Sequence, residues 1–276
     1  MINPPGLIGA RRLMTLFDRY DFKPSKARGQ NFVIDPNTIR KVVAVSGVQR
    51  SDRVLEVGAG GGSLTIALAA ACRWVYAIEY DIRLLPILHD VLNGAGNVDV
   101  VHGDALALDL SRFDAMHLVG NLPYNIATSV VLRALEDAPR IGNVTVMTQR
   151  EVGERLAAAP GSRAYGLPSV MVQLYATARV AASVSRRAFY PVPNVDSVIV
   201  RISRREEATD IDHQRVHEVA KAAFAQRRKT LRNALAPLAG SSSDADGIIE
   251  KAGLDPGARP EDVAPEGFAA LARLIR

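Results

Sequence analysis

From residue 52 the chain alternates short apolar runs with longer amphipathic ones, and this rhythm limits its fold more than any other feature. RVLEV (53–57), WVYAIE (74–79), VDVVH (98–102), MHLVG (116–120) and VTVMT (144–148) have the length and β-branched content of buried strands. Between them, GSLTIALAAA (62–71), RLLPILHDVL (83–92) and a segment near 126–136 carry helical spacing. Strands joined through helices pair in parallel by crossovers, so the expected class is α/β, a doubly wound, Rossmann-like sheet. VAASVS (180–185) and VDSVIVRI (195–202) read as two more strands with no helix between them, which predicts an antiparallel hairpin at one sheet edge. After residue 206 the strand signal ends. HQRVHEVAKAAFAQ (213–226), RKTLRNALAPLA (228–239), DGIIEKAG (246–253) and PEGFAALARLIR (265–276) read as helices of a small all-helical domain, entered through the linker ATDID (208–212).

At 276 residues, 48% hydrophobic and 23% charged, the chain can bury a sizeable core. No apolar run approaches the roughly 20 residues that span a bilayer, so no membrane partner is expected. MINPPGLIGARRLM lacks an apolar core followed by a cleavage site, so no secretory signal is expected. The single cysteine, Cys72, excludes an intramolecular disulfide and a cysteine-based zinc cluster, and fits a reducing cytoplasm. The net charge of +5 is a weak pointer to an anionic partner, and its distribution says more. Residues 221–232 hold Lys221, Arg227, Arg228, Lys229 and Arg232 with no acid. By charge alone this is a solvated helical face or a phosphate-binding one.

The first strand-to-helix turn reads EVGAGGG (56–62). Its glycines permit a tight turn and close approach of a ligand to main-chain amides, and sheets of this kind bind ligands beyond their strand carboxyl ends. Ser63 breaks the dinucleotide fingerprint, and no GK[ST] follows, which excludes a P-loop. The acid-x-G-x-G-x-G form resembles turns that bind S-adenosylmethionine. Glu79 ends the second strand, where it can accept hydrogen bonds from both ribose hydroxyls, and Asp104 follows the third, where it can bond an adenine amine. Each alone is equally an ordinary strand-end acid; together behind the glycine turn they point to an adenosyl cofactor.

The fourth strand runs into GNLPYNIA (120–127). Asn-x-Pro-Tyr at this place resembles the signature of enzymes that methylate planar nitrogens. The exocyclic amine of adenine is a poor nucleophile because its lone pair is delocalised into the ring. Asn121 Oδ1 and the Leu122 carbonyl can each accept one of its N–H groups, and Pro123 stiffens that carbonyl without supplying a competing N–H. Tyr124 offers a ring on which a flipped-out base stacks. Phe189, before the last strand, is a candidate for the other face of the base, with a core phenylalanine as the alternative.

GQNFVID (29–35), EVGAGGG, GNLPYN, QREVGERLAAAPGSRAYG (149–166), FYPVPNVDS (189–197) and AFAQRRKTLRNAL (223–235) follow one another in this order. Together they resemble the ribosomal RNA adenine dimethylases, above all the bacterial branch acting on the small-subunit (16S) RNA. The resemblance runs from residue 26, leaving 1–25 as an N-terminal extension of open role, 26–206 as the methyltransferase domain and 207–276 as a helical RNA-binding domain. It implies transfer of methyl groups from S-adenosylmethionine, released as S-adenosylhomocysteine, to N6 of two neighbouring adenosines in the 3′-terminal hairpin of 16S rRNA, within the small ribosomal subunit or its precursor, by a cytoplasmic monomer. It places cofactor contacts on Asn31, Val33, Gly58, Gly60, Glu79, Asp104 and Asn121, base handling on Asn121, Leu122, Pro123, Tyr124 and Phe189, and RNA contacts on Arg227, Arg228, Lys229 and Arg232. Val33 stands where the family usually has leucine, and Ala59 and Gly61 replace a frequent proline and leucine, which is expected to loosen the turn. Dimethylases acting on large-subunit RNA share the cofactor and Asn-x-Pro-Tyr logic, and an assembly factor that only binds is the alternative of another class.

Overall fold

The computed structural model describes residues 7–205, 212–226 and 229–275. Its strands are β1 (Phe32–Val33), β2 (Arg53–Val57), β3 (Trp74–Glu79), β4 (Val98–His102), β5 (His117–Asn121), β6 (Asn143–Gln149), β7 (Ala176–Val184), β8 (Phe189–Tyr190) and β9 (Ser197–Arg204). Its helices are α1 (Ala10–Arg19), α2 (Pro36–Ser46), α3 (Ser63–Ala71), α4 (Leu85–Val91), α5 (Ala127–Asp137), α6 (Arg150–Leu156), α7 (Leu167–Tyr175), α8 (His213–Phe224), α9 (Leu231–Ala239), α10 (Ser242–Lys251) and α11 (Pro265–Leu274).

The main sheet has the order β4-β3-β2-β5-β6-β9-β7. β4, β3, β2, β5 and β6 are parallel neighbours, and β9 runs antiparallel to β6. The central strands are covered on both faces, so nearly every residue of β2, β5 and β6 is buried and each reads as a continuous apolar run. The chain winds outward from β2 to β4, then returns to lay β5 on the other side of β2. Such a reversal leaves a crevice at the strand carboxyl ends, here between the turn after β2 and the turn after β5.

Contacts divide the chain into two compact units whose borders differ from the expected linear cut. The first comprises the described residues up to Gly153 together with Arg179–Arg204. The second comprises Glu154–Ala178 together with the described residues from Arg205 onward. The segment 154–178, placed by chain continuity in the methyltransferase domain, thus belongs with the C-terminal helices. The reason is chemical: the fully buried Tyr165 donates its hydroxyl to the Val263 carbonyl at 2.9 Å and packs its ring on Phe224, which in turn meets Phe268.

The described part of the N-terminal extension, residues 7–25, is likewise packed into the core. Leu13, Leu16 and Phe17 form the buried face of α1, and Phe17, Phe22 and Phe32 stack with ring centroids 4.8, 4.9 and 5.8 Å apart. Edge and tilted aromatic pairs of this kind contribute roughly 0.5–1.5 kcal/mol each beyond their burial. The next helix, α2, starts where Asp35 caps the amides of Asn37 and Thr38, has Pro36 at its first position, and stops at Gly47 in left-handed conformation.

Candidate active site

A cavity of about 330 Å³ opens at the topological reversal, lined by the turns after β2, β3, β4 and β5 and by the segment 27–32. That volume is in the range of small-molecule and cofactor sites. Asn31, Gly58, Gly60, Glu79, Asp104, Asn121, Leu122, Pro123 and Tyr124 all line it.

The glycine turn is pinned from several sides. The Gly58 and Ala59 amides both donate to the Ile78 carbonyl, at 2.9 and 3.0 Å, and the Gly60 amide donates to Glu79 Oε2 at 2.7 Å. Gly58, Gly60 and Gly62 have φ of 79°, 57° and 79°, which only glycine adopts without strain. Glu79 Oε1 accepts from the Asp81 amide at 2.7 Å. Burial pushes the Glu79 carboxyl above its ordinary pKa, and the backbone donors oppose that rise. Each carboxylate oxygen retains a lone pair for a further donor from the cavity. Behind the turn lies Glu56, fully buried, whose pKa is pushed by burial to about 8 against the opposing hydrogen bond of the Thr65 side chain. Asp104 Oδ1 accepts from the Leu106 amide at 2.8 Å, a local cap that leaves Oδ2 to the cavity, and Arg133 of α5 holds the Leu106 carbonyl.

At the other end, Asn121 Nδ2 donates to the Asn31 carbonyl at 2.8 Å. A carbonyl only accepts, so this contact fixes which way the amide points and leaves Oδ1 as its free acceptor. The Leu122 amide donates to the Met147 carbonyl at 3.0 Å, and no described residue donates to the Leu122 carbonyl. The Pro123 carbonyl accepts from Ile126 and Ala127, starting α5. Tyr124 has its hydroxyl buried, and burial raises its pKa while a hydrogen bond with the Ser197 side chain opposes the rise.

Val33 and Phe189 are the expected residues that do not reach the cavity wall. They pair with each other across β1 and β8 and are 6% and 1% exposed, in the hydrophobic core. Phe189 thus lies in the core on β8, opposite Val33 in the register and off the cavity wall, and its place on the second face of the base stays a proposal. Of the basic set, Arg227 and Arg228 lie outside the described residues. Lys229 is exposed, and Arg232 is ion-paired with Asp246.

The sequence reading missed Asp81, which is 1% exposed and joins the site together. It accepts from Gln30 at 2.9 Å and pairs with Arg28 at 3.2 Å and with Arg83, whose hydrogen bonds hold its pKa down to about 2. Gln30 precedes the residue that orients Asn121, so the turn after β3 and the turn after β5 are linked through the 28–31 segment. Its position, two residues after Glu79 in EYD, was the available signal.

The family model for ribosomal RNA adenine dimethylase matches residues 22–275. The chain is 44% identical to the ribosomal RNA small subunit methyltransferase A of Leifsonia xyli subsp. xyli over 278 residues, covering 98% of this chain and 99% of that protein. It is 44% identical to the protein of the same name from Mycobacterium tuberculosis over 279 residues, covering 97% and 88%. Among solved structures it is similar to a dimethyladenosine transferase from Plasmodium falciparum, with a TM-score of 0.77 at 23% identity over 87% of this chain and 95% of that one. It is also similar to the 23S rRNA methyltransferase ErmE, with a TM-score of 0.69 at 28% identity over 89% and 99%. Matched over nearly its whole length in order, motif and sheet, the chain belongs to the ribosomal RNA adenine dimethylase family.

Proposed function

We propose that this protein dimethylates N6 of two adjacent adenosines in the 3′-terminal hairpin of 16S rRNA, using S-adenosylmethionine, during assembly of the small ribosomal subunit. The observation that carries the reading is the Asn121 amide, turned by the Asn31 carbonyl so that its oxygen, like the next residue's carbonyl, has no donor among the described residues while both residues line the cavity. Two fixed acceptors suit an amine with two N–H groups and nothing else on the adenine edge. The cofactor fits the residues present: a cradle of positive-φ glycines, a buried carboxylate in the wall for the ribose, and Asp104 for the adenine amine. When bound, S-adenosylmethionine supplies a sulfonium methyl, electrophilic enough that no strong general base is required.

The chain's own residues then act by positioning. Asn121 Oδ1 and the Leu122 carbonyl draw the two N–H bonds toward them and make the nitrogen lone pair available out of the ring plane. Tyr124 carries the base on its ring, and Pro123 keeps the carbonyl from swinging. After one transfer a single N–H remains and one acceptor still holds it; after two, no donor remains and the reaction stops. Lys229, with Arg227, Arg228 and Arg232, forms the RNA-binding face in this reading, and the protein works as a cytoplasmic monomer. No helix among the described residues is long and apolar enough to cross a membrane.

The test is incubation with labelled S-adenosylmethionine and small subunits from a strain lacking adenine dimethylation, followed by analysis for N6,N6-dimethyladenosine. Product in small-subunit RNA alone is expected. Product in large-subunit RNA run in parallel would move the substrate to the other branch of the family, and cofactor binding without product would leave a binding factor.

A further inference from the structure

Gly61 differs from its neighbours in the cofactor turn. Gly58, Gly60 and Gly62 are in the left-handed region, whereas Gly61 is not, so its backbone accepts any residue. What keeps position 61 small is space: a Cβ there would lie 2.4 Å from Leu13 Cδ1 and 3.7 Å from Phe17 Cε1, both on α1. The rest of the turn is enclosed in the same way, with Phe32 3.2 Å from a Cβ at Gly60 and Val91 2.7 Å from one at Gly62. Leu13 is 0% exposed, so a methyl displaced by a side chain at 61 would move against core atoms and not into solvent. α1 lies outside the residues matched by the family model, yet it supplies the side chain that packs against the turn.

We propose that Leu13 is a positioning residue for the cofactor: its side chain reaches from α1 to occupy the volume that a side chain at 61 would fill, and so holds the turn between Gly60 and Gly62 in its binding shape. This rests on the reading of the turn as the seat of S-adenosylmethionine. It assigns a role to the N-terminal helix and removes the looseness expected from glycine at 61. Leu13 touches no cofactor atom in this account; it acts through the Gly60–Gly62 backbone, whose Gly60 amide is tied to Glu79.

The experiment is a double-mutant cycle read by calorimetric titration with S-adenosylmethionine and S-adenosylhomocysteine, with urea unfolding on the same samples. Leu13→Ala and Gly61→Ala are each expected to weaken cofactor affinity about tenfold, and their combination to bind within about threefold of the parent, because the new methyl refills the vacated space. Leu16→Ala, a truncation on the same helix but not among the atoms nearest Gly61, is expected to lower the unfolding midpoint and leave affinity unchanged. Simple additivity of the two changes, or Leu16→Ala weakening the cofactor as much as Leu13→Ala, overturns the proposal. A parent protein that binds no S-adenosylmethionine overturns the cofactor reading and this inference with it, whereas binding without coupling overturns the inference alone.

Discussion

The two ends of the cavity are furnished differently. At the glycine turn the polar groups are already committed to the protein: Gly60 N–H to Glu79, the other Glu79 oxygen to Asp81 N–H, and Asp104 Oδ1 to Leu106 N–H. At the Asn121–Tyr124 end they are open: Asn121 Oδ1 and the Leu122 carbonyl receive no donor from the described residues. A site that binds one unchanging ligand gains from rigidity, since little is left to order on binding. A site that meets an amine with two, then one, then no N–H groups cannot commit its acceptors elsewhere. The contrast separates holding a reagent from sensing the state of a substrate.

Substitutions can break that contrast. Asn121→Ala removes an open acceptor and is expected to cost about 10³-fold in methyl transfer. Cofactor affinity should change far less, and a loss of equal size in both would show that the two ends are not separable. Glu56→Gln probes the committed end from beneath. Because the folded protein holds the Glu56 proton up to about pH 8, against 4.5 unperturbed, stability should fall as pH rises through that interval. The Gln variant lacks this slope, a difference on the order of 4 kcal/mol by pH 8, read from urea midpoints across the range. Parallel curves for parent and variant would sink the assignment.

Glu79→Gln replaces one acceptor by a donor facing a backbone N–H, and cofactor affinity should fall about 30-fold. Turnover at saturating cofactor should stay near that of the parent, the reverse of Asn121→Ala. Tyr124→Ala should cut turnover about tenfold while cofactor affinity holds, measured by single-turnover kinetics and titration on the same preparation. The smallest effect lies outside the cavity. Lys229→Glu should reduce the slope of log RNA affinity against log salt by about one or two units, and an unchanged slope would place the phosphates elsewhere.

Much of this was legible in the sequence where burial is uniform. β2, β3 and β4 fall on the residues read as strands: β2 and β3 are largely buried and spell apolar runs, whereas the edge strand β4 has no buried residue and was legible from its β-branched valines. The turns that follow them carry glycine, Glu79 and Asp104, whose chemistry is local. Helices α1, α2, α6 and α7 were not identified. α1 had the signal in Leu13, Leu16 and Phe17, spaced three and four apart, but arginines and no capping side chain surround it. α7, LPSVMVQLY, is nearly all apolar and rich enough in β-branched residues that its period does not separate helix from strand. That Phe189 and Val33 lie off the cavity wall was illegible for a different reason. Which face a two-residue strand shows depends on its partner, and pairing across 156 positions leaves no local trace. The Gln30–Asp81 and Asn31–Asn121 bonds were unreadable on the same ground.

The interleaving of the two compact units bears on how such a protein can be cut or fused. Each is assembled from two stretches of chain, and the divide runs through α6 and β7 as well as after Arg204. No single scission therefore yields either half intact. A gene ending at codon 206 would retain α7 but lack α8 and α11, the helices it packs against. A ribosome making this protein releases the first piece of the helical unit long before the second, so that unit waits for nearly the last residue.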